Sequence, residues 1–324
     1  MTKEEGPLRH ASLTKYMLLL ATVFFLPSFF PLLFGWSQGV LSIPVFLAFC
    51  FLGPKNGFKL LRNSLLLAGA GLIIAQRIEI FLFSLTFIPL GYTLYQGLIS
   101  EENAVVTGVK GIVTQGGSWI VFWIVCSLIT SENLYTQLVT MLDASFAQAY
   151  EIYSKQTDIS AEVLYALQIA IEETRKVMPR VLPGILGCMV IATVWFNLVI
   201  SNILAKKMRL TEKGWGKYTT WSLPDQLVWL PLTAVVIMLV GSGAIRDTAV
   251  CFLLVSILLY FFQGLAVFIH LLDKWNVPGV FRLALYFMLI VQSYGLIFLA
   301  ILGLADVWLN FRKLPGNVAD HTDK

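Results

Sequence analysis

The sequence predicts an all-α, polytopic transmembrane helical bundle of about eight or nine spans, with an extramembrane amphipathic helical pair. Three observations predict it. The 324 residues are 57% hydrophobic and only 13% charged, where a soluble chain carries about a quarter. The apolar residues fall in runs near the roughly 20 residues a bilayer core requires. The runs do not alternate, so helices rather than barrel strands satisfy the backbone in lipid.

The elements follow in order. Lys3, Arg9, His10 and Lys15 precede an apolar run of about 17–36, broken by Pro27 and Pro31. This run is too long for a signal-peptide core and reads as an uncleaved first span. A short second span, about 39–53, contains Pro44. A basic loop with Lys55, Lys59 and Arg62 follows, then a stretch from Ser64 to Ala75 short enough to be re-entrant. Arg77 and Glu79 read as a solvated turn or as an ion pair. The fourth and fifth spans are about 78–99 and 111–131.

Residues 132–180 carry seven acidic and four basic side chains. Leu134, Leu138, Met141, Leu142, Phe146, Ala149 and Tyr153 recur with helical rhythm opposite a polar face. A second amphipathic helix starts at Ser160, with Ile159 and Leu164 placed as a staple around the cap, and ends at Pro179 and Pro183. The domains read as 1–131, 132–180 and 181–324. A sixth span at about 181–204 leads to the most basic loop, with Lys206, Lys207, Arg209, Lys213 and Lys217. The seventh, eighth and ninth spans are about 226–243, 248–272 and 281–304. Basic loops mark the cytoplasmic side. Nine spans put the N-terminus inside and 132–180 outside; eight change the parity and the side of the tail.

Polar groups within the spans are the places to look for function. Gln263 and Gln292 lie about 14 and 16 Å from the hairpin joining the last two spans, at similar depth near the midplane. Either they line a polar cavity, with His270 on the face of Gln263, or they pair with each other as interhelical glue. Asp306, Asn310 and Lys313 share a stripe, with Arg312 beside it. This is either a partner-docking surface or a helix end leaving the membrane. The loop at 205–217 lies on anionic lipid or docks a partner.

Enzymatic chemistry is not expected. Ser118 and His270 sit at mismatched depths for a Ser-His pair. Gly69 and Gly71 lack the rest of a dinucleotide fingerprint, and the 53–57 turn is not a P-loop. Cys50, Cys126, Cys188 and Cys251 form no C-x-x-C pair, so neither a metal site nor a disulfide framework is expected. No cofactor and no nucleic acid are implied.

Trp221-Ser-Leu-Pro-Asp225, Tyr260-Phe-Phe-Gln-Gly-Leu-Ala266, Leu302-Gly-Leu-Ala-Asp-Val-Trp308 and Asn310-Phe-Arg-Lys313 resemble the YybS-like family of bacterial membrane proteins, a domain of unknown function. That family is distantly similar to the S components of energy-coupling-factor vitamin transporters. The resemblance implies a small-molecule binding or transport component of the bacterial inner membrane, working with separate coupling or ATPase subunits. Gln263, Gly264 and Asp306 are its family-pattern positions. The alternative is a non-transporting scaffold in membrane lipid, recruiting partners through 205–217, 132–180 or the tail.

Overall fold

The computed structural model describes residues 7–155, 160–211, 214–292 and 294–313. Among these every regular element is helical. The chain forms two compact units, one of Met1–Phe122 with Val190–Lys217, the other of Trp123–Met189 with Tyr218–Lys324.

The first unit opens with α1 (Pro7–Phe29) and α2 (Pro31–Phe34). The expected first span is bent by 108° between Leu13–Phe29 and Pro31–Val40. Pro31 has no N–H to give and drives the preceding residue out of the helical region. Phe30 accordingly sits at φ −119°, ψ 67°.

Helix α3 (Ser42–Ile74) runs for 33 residues. It is two helices meeting at a sharp kink, the first over the expected second span and the second over the basic loop and the re-entrant stretch, so Lys55, Lys59 and Arg62 sit exposed on a helix and not in a loop. The two pieces pack on each other, a Cβ at Gly57 lying 2.7 Å from Phe49 Cδ1. The break the sequence implied is confined to Gly53, at φ 70°, ψ 172° ahead of Pro54. That region is open essentially to glycine alone.

Helices α4 (Ile78–Ser84) and α5 (Ile88–Ile99), joined by a 3-10 turn, make the fourth span, and α6 (Ala104–Thr130) the fifth. The core gathers Phe24, Leu41, Val45, Phe49 and Leu72, with a second cluster of Phe46, Leu90, Leu94 and Val194. The basic loop folds back on this unit. The Trp215 indole donates to Thr107 Oγ1 at 3.1 Å, and Lys206 Nζ to the Gly216 carbonyl at 2.6 Å. Lys213, counted among the loop's basic residues, lies outside the described residues.

In the second unit, α7 (Leu134–Ser154) is capped by Asn133, whose side chain accepts from the Tyr135 N–H at 2.9 Å. Helix α8 (Ala161–Lys207) has 47 residues. Ser160 caps it through the Val163 N–H at 3.4 Å; the Ile159 half of the expected staple lies outside the described residues. Pro179 and Pro183 do not end the helix as expected but lie inside it. Pro183 cannot donate to the Pro179 carbonyl, and the Tyr135 hydroxyl donates to that carbonyl instead. At 1.5 Å per residue α8 runs about 70 Å, more than twice the ~30 Å hydrocarbon core. Its first half therefore extends outside the membrane.

Then come α9 (Trp229–Val240), α10 (Gly243–Lys274), α11 (Gly279–Val291) and α12 (Gly295–Leu309). Between Asp247 and Asp273, α10 carries no charged residue, a stretch of about 37 Å that spans the core. A Cβ at Gly184 would lie 2.8 Å from Cys251 Cα, and one at Gly187 3.5 Å from Val255 Cγ2. Contacts advancing together along both helices mean that α8 and α10 run in the same direction there. The expected ninth span is broken at 292–294 into α11 and α12.

Five described helices are long and apolar enough to cross a membrane, six if the bent N-terminal pair is one span. Asp225–Val240, Gly279–Leu289 and Gly295–Leu309 are apolar but shorter. The expected eight or nine spans counted each apolar run as a separate crossing, these shorter helices included.

Candidate functional site

The polar residues that the sequence singled out meet in the second unit, though not as expected. Gln263 on α10 is buried. Its Oε1 accepts from the Leu223 N–H at 3.1 Å, and its Nε2 lies 3.4 Å from Asp306 Oδ2. Asp306 on α12 also receives Arg312 Nη2 at 2.6 Å and Nε at 3.2 Å, and its Oδ1 takes the Phe311 N–H at 3.1 Å. Arg312 Nη1 donates to the carbonyls of Thr219 at 3.1 Å and Trp221 at 2.6 Å. The two charged side chains are 0% and 2% exposed.

The local chain explains this return. Helix α12 ends at Leu309, and Asn310 takes the left-handed conformation, φ 41°, ψ 55°, with its N–H on the Asp306 carbonyl at 3.0 Å. Asparagine tolerates that conformation better than most residues. The reversal swings Arg312 back onto Asp306, six residues earlier. The expected stripe of Asp306, Asn310 and Lys313 needed a helix that continued; here it stops. Asp306 and Arg312 face inward, Asn310 is half-buried, and Lys313 is exposed.

Gln292 is not opposite Gln263. It is exposed, at the extended residue that ends α11. The equal-depth argument required a continuous helix, and the break removes it. His270 is half-buried near the end of α10. The node is closed by close packing of α10 on α12. A Cβ at Gly264 would lie 1.7 Å from the Leu299 carbonyl oxygen, and one at Gly303 2.1 Å from that of Tyr260. Tyr218 Oη donates to the Phe262 carbonyl at 2.6 Å. Segment 218–223 is thus tied to α10 and to the chain end by side-chain bonds. Gln263, Asp306 and Arg312 have their main valences occupied, so the node is a clamp and not a receptacle.

An open cleft of about 470 Å³ lies elsewhere in the same unit, where α7, α8 and α10 meet. Pro179, Pro183, Phe252 and Val255 give it apolar walls; Tyr135, Arg180, Asp247 and Thr248 bring polar groups. The Tyr135 hydroxyl is occupied by the Pro179 carbonyl, and Cys251 Sγ lies 3.5 Å from the Arg180 carbonyl. Arg180 Nε and Asp247 Oδ2 are 4.0 Å apart, with side chains 62% and 33% exposed. That separation exceeds hydrogen-bond reach. Sequence reasoning passed over Arg180 and Asp247 because each stands just before an apolar run, at the edge of a span. The signal was Pro179-Arg180 followed by Pro183, a cation between two prolines that leave backbone carbonyls unpaired in the helix.

Gln115 on α6, in the first unit, was also missed. It is fully buried, with neither amide atom hydrogen-bonded among the described residues, and the Trp119 indole nitrogen one turn on is in the same state. Among the described residues no cluster of His, Cys, Asp and Glu is arranged to hold a metal ion.

No curated protein and no solved structure matches the chain. Residues 18–307 match the model of the family described as "Predicted membrane protein (DUF2232)". That match takes in most of the membrane helices, the cleft, and Gln263 and Asp306 of the node but not Arg312, and the chain belongs to this family of predicted membrane proteins.

Proposed function

We propose that this protein is a small-molecule-binding component of a bacterial inner-membrane transport system, lacking its own ATPase and without enzymatic activity. The observation that carries this reading is the cleft at Arg180 and Asp247. Its volume lies within the usual range for ligand sites, about 300–1,000 Å³, and it joins apolar walls to a few polar groups. Helices interrupted within the apolar runs, at Phe30–Pro31 and at 292–294, are a feature of transporters. The unpaired Gln115 amide fits the same reading, since an unmet buried polar group costs about 1–3 kcal/mol unless a ligand or water meets it.

The motif resemblance to the YybS-like family, and through it to S components, points the same way. In this reading the N-terminus and the basic end of α8 are cytoplasmic, by the positive-inside rule. The cleft, at the opposite end of the α8 span, then faces outward. For a scaffold role the buried Asp306 and Arg312 are out of reach, while Lys206, Lys207, Arg209 and Lys217 remain exposed. It would rest on these and on the outward faces of α7 and α8.

Thermal-shift screening of the purified full-length protein against charged and neutral metabolites tests the proposal. A stabilising compound whose effect disappears in Arg180→Ala and Asp247→Ala supports it. Identical responses of the wild type and both variants to every compound would sink it.

A further inference from the structure

A second cavity adjoins the cleft. It measures about 360 Å³ and lies between α9 and α10, lined by Leu230, Ala234, Ile237 and Ile245 among others. Thr248 and Phe252 line both spaces. A polar-headed cleft and an apolar groove thus lie side by side, with the Thr248–Phe252 stripe of α10 as their common border. Asp247 stands at the start of the uncharged stretch of α10, so the head end lies at the membrane boundary and the groove runs along the apolar part of α9.

The charges at the head are one cation and one anion. Arg180 and Asp247 face each other at 4.0 Å, too far for a hydrogen bond, and both retain open surface. Such a loosely made pair yields easily to a ligand carrying the complementary charges, because little is lost when it opens. A guanidinium takes a phosphate or carboxylate in its planar fork, and a carboxylate takes an ammonium. A purely anionic head would leave Asp247 repelling it; a purely cationic one would leave Arg180 doing the same. Arg246, exposed beside Asp247, adds positive charge at the rim and favours an anion on the outer part of the head.

We infer that the cleft and groove together bind a zwitterionic amphiphile: an anion on Arg180, an ammonium on Asp247 and an alkyl chain between α9 and α10. This rests on the small-molecule reading of the cleft and specifies its ligand class.

The test uses the full-length protein in detergent and three probes, with binding followed by native mass spectrometry. Lysophosphatidylethanolamine carries head and chain, glycerophosphoethanolamine the head alone, and lysophosphatidic acid the chain with an anion alone. The first probe is expected to bind most tightly, with Arg180→Ala and Asp247→Ala each weakening it about tenfold. Ile245→Trp, at an exposed groove position, is expected to remove the advantage conferred by the chain. If glycerophosphoethanolamine binds as tightly as the lysolipid, the amphiphile is wrong while the cleft reading stands. If lysophosphatidic acid binds as well as the zwitterion and Asp247→Ala has no effect, the zwitterionic assignment is wrong. If all three variants bind the lysolipid like the wild type, it is annular lipid only and the inference is overturned. If no probe binds and screening finds no other ligand, the reading of the cleft fails with it.

Discussion

Arg312 shows how much one side chain can organise when it is buried. Its guanidinium bonds a carboxylate and two backbone carbonyls at once, which a lysine ammonium cannot reproduce in one plane. Arg312→Ala leaves Asp306 buried without its counter-ion and is expected to destabilise the protein by about 3–5 kcal/mol. Arg312→Lys should fall between that variant and the wild type. Melting temperatures in detergent check the order.

Gly264 makes a separate prediction at this scale. Its missing Cβ is where the Leu299 carbonyl sits, and backbone cannot rotate away as a side chain can. Gly264→Ala should cost about 1–3 kcal/mol and loosen α10 from α12. Gly108→Ala is the control. Nothing lies within 4 Å of the added methyl, so this change within α6 should be neutral or stabilising by up to about 1 kcal/mol. The family resemblance had singled out Gln263, Gly264 and Asp306 as pattern positions. That Gln263 meets Asp306 and not Gln292 was not legible, because it depends on a break at 292–294 and a left-handed turn at Asn310.

Among the elements, α7 and α8 are held together by side-chain bonds, two of which carry predictions. One is the Tyr135 hydroxyl on the Pro179 carbonyl. Tyr135→Phe orphans that carbonyl at the floor of the cleft and is expected to cost about 1 kcal/mol, read as a lower melting temperature. The other is the two-pronged pair of Arg175 and Asp143, with Nη2 to Oδ2 at 2.7 Å. The hydrogen bond from Arg175 holds the Asp143 carboxyl below its ordinary value near 3.8; its charge adds to this against some desolvation.

The sign follows. A carboxyl depressed on folding contributes above its unfolded value, and the contribution is lost as pH falls through the folded one. The difference in hydrogen exchange of residues 134–178 between wild type and Asp143→Asn, in the full-length protein, should therefore shrink as pH falls below the ordinary carboxylate value. It should favour the wild type above about pH 5. The difference will be small, because the pair is solvent-exposed. The amphipathic rhythm made both helices legible. The continuity of α8 through two prolines did not show, since a donor supplied from α7 is a tertiary contact.

For the whole molecule, direction is the useful quantity. Within the second unit the span of α8 and α10 run the same way, so Asp225–Val240 must bring the chain back across in about 24 Å, a short crossing that implies local thinning or flanking anchors. Arg246 and Lys274 then lie on opposite faces. In a cysteine-free background, Arg246→Cys should react with an impermeant maleimide added to intact cells, and Lys274→Cys only after permeabilisation. Labelling of both from the same side would break the assigned topology.

What the sequence by itself determined is the solvent. With so little charge along so much apolar chain, the surface has to face lipid and the backbone has to be helical, because unpaired peptide groups are too costly there. Composition and period report that directly, being local properties. The tertiary structure decided which apolar runs share a helix, which prolines bend one, and which polar groups meet. Gly53 folds one helix sharply onto the next, Pro31 turns the chain by 108°, and Pro183 passes because Tyr135 reaches its lost partner. The same local signal gives three outcomes, set by whether a neighbour distant in sequence satisfies the backbone group that the residue leaves open.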